Sequence, residues 1–598
     1  MTDEGLTIAQ RLFRDFPPDP GSNTAIVARA QGVSRDAEFR RIEALPRRIE
    51  PTVDIEKLTN YLKTANGSQT LRKNQAACLS DLYDFRGLFG MQGTGAGKTA
   101  ISLLAPMLPK TGDPQIPWVQ RPLLLVPAAL KYKTEEQDIP LYRQHWRLHP
   151  SLRVISNQLL QTLNNKDLLR RYMPDMIILD EAHEYRNRKA ARTQRLLAYL
   201  KDYPDTIFVV LSGTLTKRSI KDYWHLLRYC LPRQCPLPLH WPTLQEWSEA
   251  LDEDVPETRA RHPGALRVFC TGAENARQGF RRRLTETPGV VATTESSCDA
   301  SLNILQRPTP VVPPVIVQAF ERMRTTNVTP SGDELTDRFN VWRRTKELAY
   351  GFHYRWVWPH NQPDTEWLEI RKNWRKFVRE TLQSNKRGLD SELAVARAVD
   401  QNLYERKEYD AWQSVKRRWF PHPPREAVWV DPFLMHDAVA WLREHDGICW
   451  VEHQATGLKI AEISGQSGVP IPYFGAGDDR IVTHTGACIA SMQSHGKGHN
   501  LQRYTRNLMV AMPGAGDLWE QLIARTHRFG QTADEINVEM YVHCRELFEA
   551  FENARSDARY IEDSTGQVQK LNLATISMLT TSDAVARFVS GDPLWRKR

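Results

Sequence analysis

The stretch Gln92-Gly93-Thr94-Gly95-Ala96-Gly97-Lys98-Thr99 constrains this chain more than any other. It stands between two apolar runs, Leu88-Phe89-Gly90-Met91 and Ala100-Ile101-Ser102-Leu103-Leu104. The pattern predicts a buried strand, a glycine-rich turn and a helix. A loop of this kind lays backbone N–H groups around a phosphate chain, at the positive end of a helix dipole. Lys98 would bring a point charge to the β- and γ-phosphates, and the Thr99 hydroxyl a ligand for Mg²⁺. Gln92 stands where glycine usually opens such a loop. The plainer reading is a glycine-rich turn that only joins strand to helix.

The residues downstream weigh against the plainer reading. In Met176-Ile177-Ile178-Leu179-Asp180-Glu181-Ala182-His183 a buried strand ends in two acids. Asp180 is placed to hold Mg²⁺, usually through water, and Glu181 to polarise an attacking water. Further short apolar runs at 122–127, 152–157 and 206–211 read as parallel strands, the last followed by Ser212-Gly213-Thr214. Strands alternating with helices, with polar residues at strand ends, predict an α/β doubly wound parallel sheet over 56–232. Upstream, Leu71-Arg72-Lys73-Asn74-Gln75 enters a helical pattern. The Gln75 amide can donate to and accept from an adenine edge at once, though a surface helix also accommodates it.

Residues 1–55 read as a polar extension with a short amphipathic helix at 37–45. Residues 233–430 break the α/β rhythm. They hold Arg281-Arg282-Arg283, a proline-rich strand-like stretch at 308–314, a helical pattern from about 333, and a second basic cluster, Lys416-Arg417-Arg418. Ten of the 17 tryptophans lie between Trp342 and Trp450. Aromatics interleaved with cations suit base stacking or a backbone groove. The core of a small helical insertion is the preferred reading for most of them, with the arginine clusters assigned to phosphate.

A second α/β rhythm runs over 431–550, with helices at 433–444 and 457–463 and strands at 447–451, 470–475, 487–491 and 507–511. It leads into Gln521-Leu522-Ile523-Ala524-Arg525-Thr526-His527-Arg528-Phe529-Gly530-Gln531. Arg525 and Arg528, three apart, are expected on one helix face, reaching for a phosphate held elsewhere in the chain. A solvated basic face is the plainer alternative. Residues 551–598 read as a helical C-terminal extension.

The length of 598 residues suggests about three or four domains. A net charge of +9 leans toward a polyanionic partner. No apolar run approaches the roughly 18 residues of a membrane span. The start, Met1-Thr2-Asp3-Glu4-Gly5, is unlike a secretory signal, and eight scattered cysteines fit a reduced setting. A cytoplasmic, non-secreted protein is expected.

Taken in order, these motifs resemble a superfamily 2 helicase over about residues 70–540, and most of all its Swi/Snf-like branch. Leu71-Arg72-x-x-Gln75 is similar to the adenine-reading Q motif and Gly95-x-Gly97-Lys98-Thr99 to motif I. Val126-Pro127-x-x-Leu130 resembles motif Ia, and Asp180-Glu181-Ala182-His183 is a DEAH box. Ser212-Gly213-Thr214 with Asp222-Tyr223-Trp224 resembles motif III, and Gly496-Lys497-Gly498-His499-Asn500-Leu501 looks like a polar motif V. The Gln521 to Gln531 stretch, with its His-Arg-x-Gly-Gln ending, is similar to motif VI and is the most branch-specific signal. The compact plan is most similar to bacterial or phage-encoded members.

The resemblance implies two RecA-like lobes with a largely helical Trp/Arg-rich insertion between them, and ATP with Mg²⁺ in the cleft. ATP binding would fall to Gln75, Gly93, Thr94, Gly95, Ala96, Gly97, Lys98 and Thr99, and Mg²⁺ to Thr99 and Asp180. Catalysis would use Lys98, Asp180, Glu181, Gln521, Arg525 and Arg528, with His183, Ser212 and Thr214 coupling the ATP site to nucleic acid. Arg281, Arg282, Arg283, Lys497 and Asn500 would touch nucleic acid. The implied activity is an ATP-dependent translocase on double-stranded or branched DNA, with RNA less favoured. A strand-separating DNA or RNA helicase, or a nucleotide-gated DNA-binding protein with little turnover, are the alternatives.

Overall fold

The computed structural model describes residues 32–595 apart from 49–52, 111–112, 118, 163–164, 254, 257–258, 294–297, 333–334, 336–337, 385–391, 420–422, 497, 580–582, 585, 588–591 and 593. It is an α/β protein built on two all-parallel sheets of six and seven strands.

The first sheet holds β1 (Gly87–Met91), β2 (Pro122–Val126), β3 (Arg153–Ser156), β4 (Met176–Asp180), β5 (Ile207–Ser212) and β6 (Val290–Ala292), in the order β3-β2-β4-β5-β1-β6. Its strands are continuous apolar runs because both faces are covered. Phe89, Leu123, Leu125, Ile177, Leu179, Phe208 and Val210 pack into a core on one face. The intervening Leu88, Leu124, Ile178, Val209 and Leu211 pack into a second core on the other. Successive side chains of a strand point to opposite faces, so each run supplies both cores at once. Helices α1 (Lys73–Phe85) and α2 (Lys98–Leu104) bury Ala76, Leu79, Leu82, Ile101, Leu103 and Leu104 in the second of these cores.

The second sheet holds β7 (Ser301–Gln306), β8 (Ile448–Val451), β9 (Tyr473–Phe474), β10 (Cys488–Ser491), β11 (Arg506–Met509), β12 (Glu535–Met540) and β13 (Thr575–Ser577), in the order β9-β10-β8-β11-β12-β7-β13.

The sheets redraw the boundaries expected from sequence. Strand β6 and helix α3 (Ala276–Thr285), expected within an insertion starting at 233, belong to the first sheet and its core. Strand β7 belongs to the second sheet and pairs along its whole length with β12. Strand β13 lies in the expected C-terminal extension and adds the edge strand beyond β7. These strands escaped notice because β6 has three residues and β7 alternates apolar with polar, so neither forms a long apolar run. The 308–314 stretch is no strand: it leads directly into a helix, Pro314–Thr326, with proline at its first turn. Helix Ala37–Glu43 forms where the amphipathic pattern places one and buries Phe39 and Ile42 in the first core.

What stands apart from the sheets is a smaller unit. An antiparallel ribbon, Phe352–Trp356 with Arg425–Trp429, carries helices Thr365–Ser384, Glu392–Asp400 and Lys407–Val415. Trp374, Val378, Val395, Val399 and Tyr409 form its own core. Trp356, Trp358, Trp367, Trp412 and Trp419 pack edge to face or tilted in a chain, centroids 5.4–6.1 Å apart. Trp367 and Trp374 are buried there, and Trp356, Trp358, Trp412 and Trp419 are half-buried. Among the described residues no helix is long and apolar enough to cross a membrane.

Candidate functional site

Three neighbouring strands of the first sheet, β4, β5 and β1, end together. Asp180 is in register with Leu211, and Ser212 with Met91. The residues that follow these ends therefore meet at one edge, where parallel sheets place their ligand sites.

The glycine-rich loop is held open by its neighbours. Gly95 and Gly97 have φ of 86° and 84°, which a side chain disfavours. A Cβ on Gly97 would also come within 2.2 Å of Gln75 Nε2. Gln92 is fully buried. Its Oε1 accepts from Asn74 Nδ2 at 2.9 Å and from Thr293 Oγ1 at 2.8 Å, and its Nε2 donates to the Val291 carbonyl at 3.0 Å. A glutamine replaces the usual glycine because here it ties the loop to β6. Three side chains from the start of α1 hold the loop carbonyls: Arg72 Nη1 donates to Gly95, Asn74 Nδ2 to Ala96, and Gln75 Nε2 to Gly97, at 3.1, 2.9 and 3.3 Å.

Gln75 also has a structural role. Its Oε1 accepts the Arg72 N–H at 2.9 Å, so both ends of the amide are engaged in capping α1 and bracing the loop. A buried amide satisfies its own groups first.

Lys98 is buried, its Nζ 3.3 Å from the Gln92 carbonyl, 3.5 Å from that of Gly93 and 3.8 Å from Glu181 Oε1. Glu181 takes a left-handed backbone, φ 55°, which turns the chain sharply after β4, and its N–H donates to Asp180 Oδ1 at 3.0 Å. Glu181 Oε2 lies 3.2 Å from His183 Nδ1, which is 3.3 Å from Ser212 Oγ. Ser212 Oγ accepts the Thr214 N–H at 3.2 Å. The three residues assigned to coupling thus lie in one line of contacts from the glutamate, with Glu181 and Ser212 both meeting His183 Nδ1.

Burial, and then the Glu181 charge, push the Asp180 carboxyl up to about 7, against the pull of Lys98. Such a carboxyl stabilises the fold while protonated. Its contribution is complete below the unfolded value of about 3.9 and is lost as pH rises through about 7. Asp180→Asn, a neutral isostere, is therefore expected to melt higher than the wild type at pH 8 and equally near pH 4. Calorimetric scans at the two pH values check this.

Helix α4 (Gly516–Thr526) of the second sheet faces this edge. Glu520 Oε1 accepts from Thr94 Oγ1 at 3.2 Å, and Asp517 pairs with Arg186 at 3.0 Å. Arg186 also donates to the Thr214 and Leu215 carbonyls, so the link ends beside the coupling chain. Arg525 is buried, with Nε on the Gln521 carbonyl and Nη1 on that of His499, both at 3.0 Å. Burial and the Arg528 charge push its pKa down, and Glu181 pulls it up. It remains a cation at neutral pH. Gln521 is buried on the same helix.

Arg528 does not share a helix face with Arg525. Helix α4 stops at Thr526, and Arg528 lies in the following turn, which Gly530 closes with φ 86°. The Gln531 side chain donates to the Thr526 carbonyl at 2.9 Å, ending the helix there. Arg528 still belongs to the site, where burial and then the Arg72 charge push its pKa down. The Arg72 guanidinium lies 3.8 Å over the ring of Phe529.

Of the nucleic-acid contacts expected from sequence, Arg283 is corrected by its burial. Arg283 is 1% exposed and donates to the Ile42, Leu45 and Pro46 carbonyls at 3.2, 3.3 and 3.2 Å. Arg282 pairs with Glu274 at 3.1 Å. Arg281 donates to the Glu562 carbonyl at 3.3 Å and lines a cleft of about 590 Å³ with Arg555, Arg559, Glu562 and Asp563. A triple-arginine run on a helix cannot place all three on one side, so one turned inward. Arg283→Ala would strand three carbonyls and is expected to cost about 2–4 kcal/mol of stability with no loss of nucleic-acid affinity. Urea unfolding and a filter-binding titration check the two halves. Asn500 is exposed, bonded to Gln502 at 2.7 Å, and Lys497 lies outside the described residues.

Arg72, Glu520, Arg186 and Lys570 were not assigned from sequence. Lys570, almost fully buried, places Nζ 3.2 Å from His527 Nδ1, and its backbone N–H donates to Glu520 Oε2 at 2.7 Å. Each acts through a partner hundreds of residues away or on another element, which no local pattern reports. The site gathers five cations, Arg72, Lys98, Arg525, Arg528 and Lys570, against three carboxylates, Asp180, Glu181 and Glu520. Among the described residues no three His, Cys, Asp or Glu side chains are grouped to hold a metal by themselves. No protein-family model and no curated protein matches this chain, so its own residues carry the functional reading.

Proposed function

We propose that this protein is an ATP-dependent DNA translocase whose two sheets are RecA-like lobes. The observation that carries this is Lys98 and Glu181, 3.8 Å apart on the first sheet, with the buried Arg525 of the second near enough to feel the Glu181 charge. A positively charged loop, a strand-end acid pair and an arginine from another unit are the parts that phosphoryl transfer to water needs.

The loop N–H groups and Lys98 would bind the β- and γ-phosphates. Glu181, oriented by His183 and Lys98, would take the proton of the attacking water. Arg525 and Arg528 would stabilise charge on the phosphoryl oxygens as the leaving bond stretches. The protein alone supplies only part of a metal shell, and Mg²⁺ ordinarily completes its shell with nucleotide oxygens and water. Thr99 and Asp180 would hold it, and it would neutralise charge on the β- and γ-oxygens. The site draws on both sheets, so movement of one against the other would be tied to hydrolysis. The Glu181–His183–Ser212–Thr214 chain and the Arg186–Asp517 pair offer the path.

The test is ATP hydrolysis without nucleic acid and with single-stranded DNA, duplex DNA or RNA, with Lys98→Ala as control. Stimulation by duplex DNA that the variant loses supports the translocase. Stimulation by single strands or RNA alone favours a strand-separating helicase, and no hydrolysis under any condition overturns the enzyme reading.

A further inference from the structure

The segment that follows the last long helix carries a buried donor with nothing to bond. Helix α5 (Arg545–Thr565) ends at Gly566, whose φ of 73° turns the chain back toward the glycine-rich loop. Gln567 comes next. The residue is 1% exposed, and its Nε2 has no hydrogen-bond partner among the described residues. A Cβ built on Gly93 would stand 4.0 Å from that nitrogen. The neighbourhood is fixed independently by Glu520, whose two oxygens join Thr94 of the loop to the Lys570 N–H. The segment 567–570 and the loop are therefore held side by side.

Burying an amide N–H without an acceptor is unfavourable, and native proteins seldom leave one so unless something else supplies the acceptor. Here the surroundings point to an anion. Lys570 feels the Glu520 carboxylate first and then the Arg525 and Arg528 cations, and Lys98 stands on the loop. Several cations gathered at one site suit a polyanion. Gly93 has no side chain to stand between the loop and the Gln567 amide.

We infer that Gln567 is a nucleotide-binding residue, its Nε2 donating to a phosphate oxygen of the nucleotide held by the 93–97 loop. The inference rests on the proposed nucleotide site and extends it with a third wall, from the C-terminal segment. Its consequence is mechanical. Helix α5, which carries this segment, is pinned to the first sheet's side through Asp557 with Arg218, Tyr560 with Asp252, and Ser556 with Glu253. Phosphate bound by Gln567 would thus bear directly on the helix that bridges the two sheets.

The experiment is calorimetric titration of the full chain with ADP and with the non-hydrolysable analogue AMP-PNP, each with Mg²⁺. It compares wild type, Lys98→Ala, Gln567→Leu and Gln567→Glu, with melting scans in the presence and absence of ligand. Gln567→Leu is expected to bind about ten- to thirtyfold more weakly, and Gln567→Glu more weakly still. Without ligand, Gln567→Leu should melt no lower than the wild type, because the orphaned donor is gone, and its rise on adding AMP-PNP should shrink. Binding by both Gln567 variants within twofold of a Lys98-dependent wild type overturns this inference and leaves the nucleotide site standing. Absence of Lys98-dependent binding in the wild type overturns the site and this inference with it.

Discussion

Arg525→Ala is expected to lower DNA-stimulated ATP turnover by about a thousandfold or more, with little change in nucleotide affinity. The expectation follows from where the guanidinium sits. It belongs to a helix of the second sheet, yet Glu181 of the first is among the charges that act on it. A cation brought to the phosphoryl group from a separate element serves the transition state more than the ground state. Arg525 also has a structural share, since it satisfies the Gln521 and His499 carbonyls. The alanine variant must therefore be compared with Arg525→Lys, which keeps charge but cannot span both carbonyls and the phosphate. Single-turnover hydrolysis, AMP-PNP affinity and melting temperature separate the contributions. A turnover loss below tenfold in a folded alanine variant would remove Arg525 from catalysis.

The second large effect is expected at Glu181. Replacing it with glutamine keeps the size and removes the base, so turnover should fall by about 10²–10⁴-fold while nucleotide binding persists. The geometry makes the role specific. Glu181 is one of few non-glycine residues with positive φ, and its carboxylate is shared between Lys98 and His183. Strained backbone concentrates at sites where side-chain direction matters. Glu181→Gln should therefore trap a nucleotide-bound protein, observable as tight ATP binding with slow product formation in a rapid-quench assay. Unchanged turnover would assign Glu181 to structure alone.

Much of the first sheet was legible because its strands are buried on both faces. The runs at Leu88, Leu123, Ile177 and Phe208 are apolar throughout, and the residues at their ends follow directly in the chain. The pairing of Lys98 with Glu181 came from the fold, which sets both just beyond strands that are close in one sheet. Strands β7 and β12 show the limit. They pair with each other across more than two hundred residues, and their alternating patterns resemble many exposed segments.

The arginines mark the same division. The identity of Arg281, Arg282 and Arg283 says only that the segment is cationic. Their partners, a carboxylate, a set of buried carbonyls and a helix end, were settled by packing against residues 42–46 and helix α5. Gln75 is similar: an amide at that position is apt for a base edge, but the fold used both of its ends on the chain itself.

The sequence by itself placed a glycine-rich loop, a lysine and an acid pair at the strand ends, because these groups follow their strands directly in the chain. Tertiary structure decided which distant residues complete the site: Glu520 on Thr94, Asp517 on Arg186, and Gln567 facing Gly93. The physical reason is range. Backbone conformation and strand burial are set by neighbours a few residues away, whereas hydrogen bonds and ion pairs between elements depend on how whole sheets and helices pack.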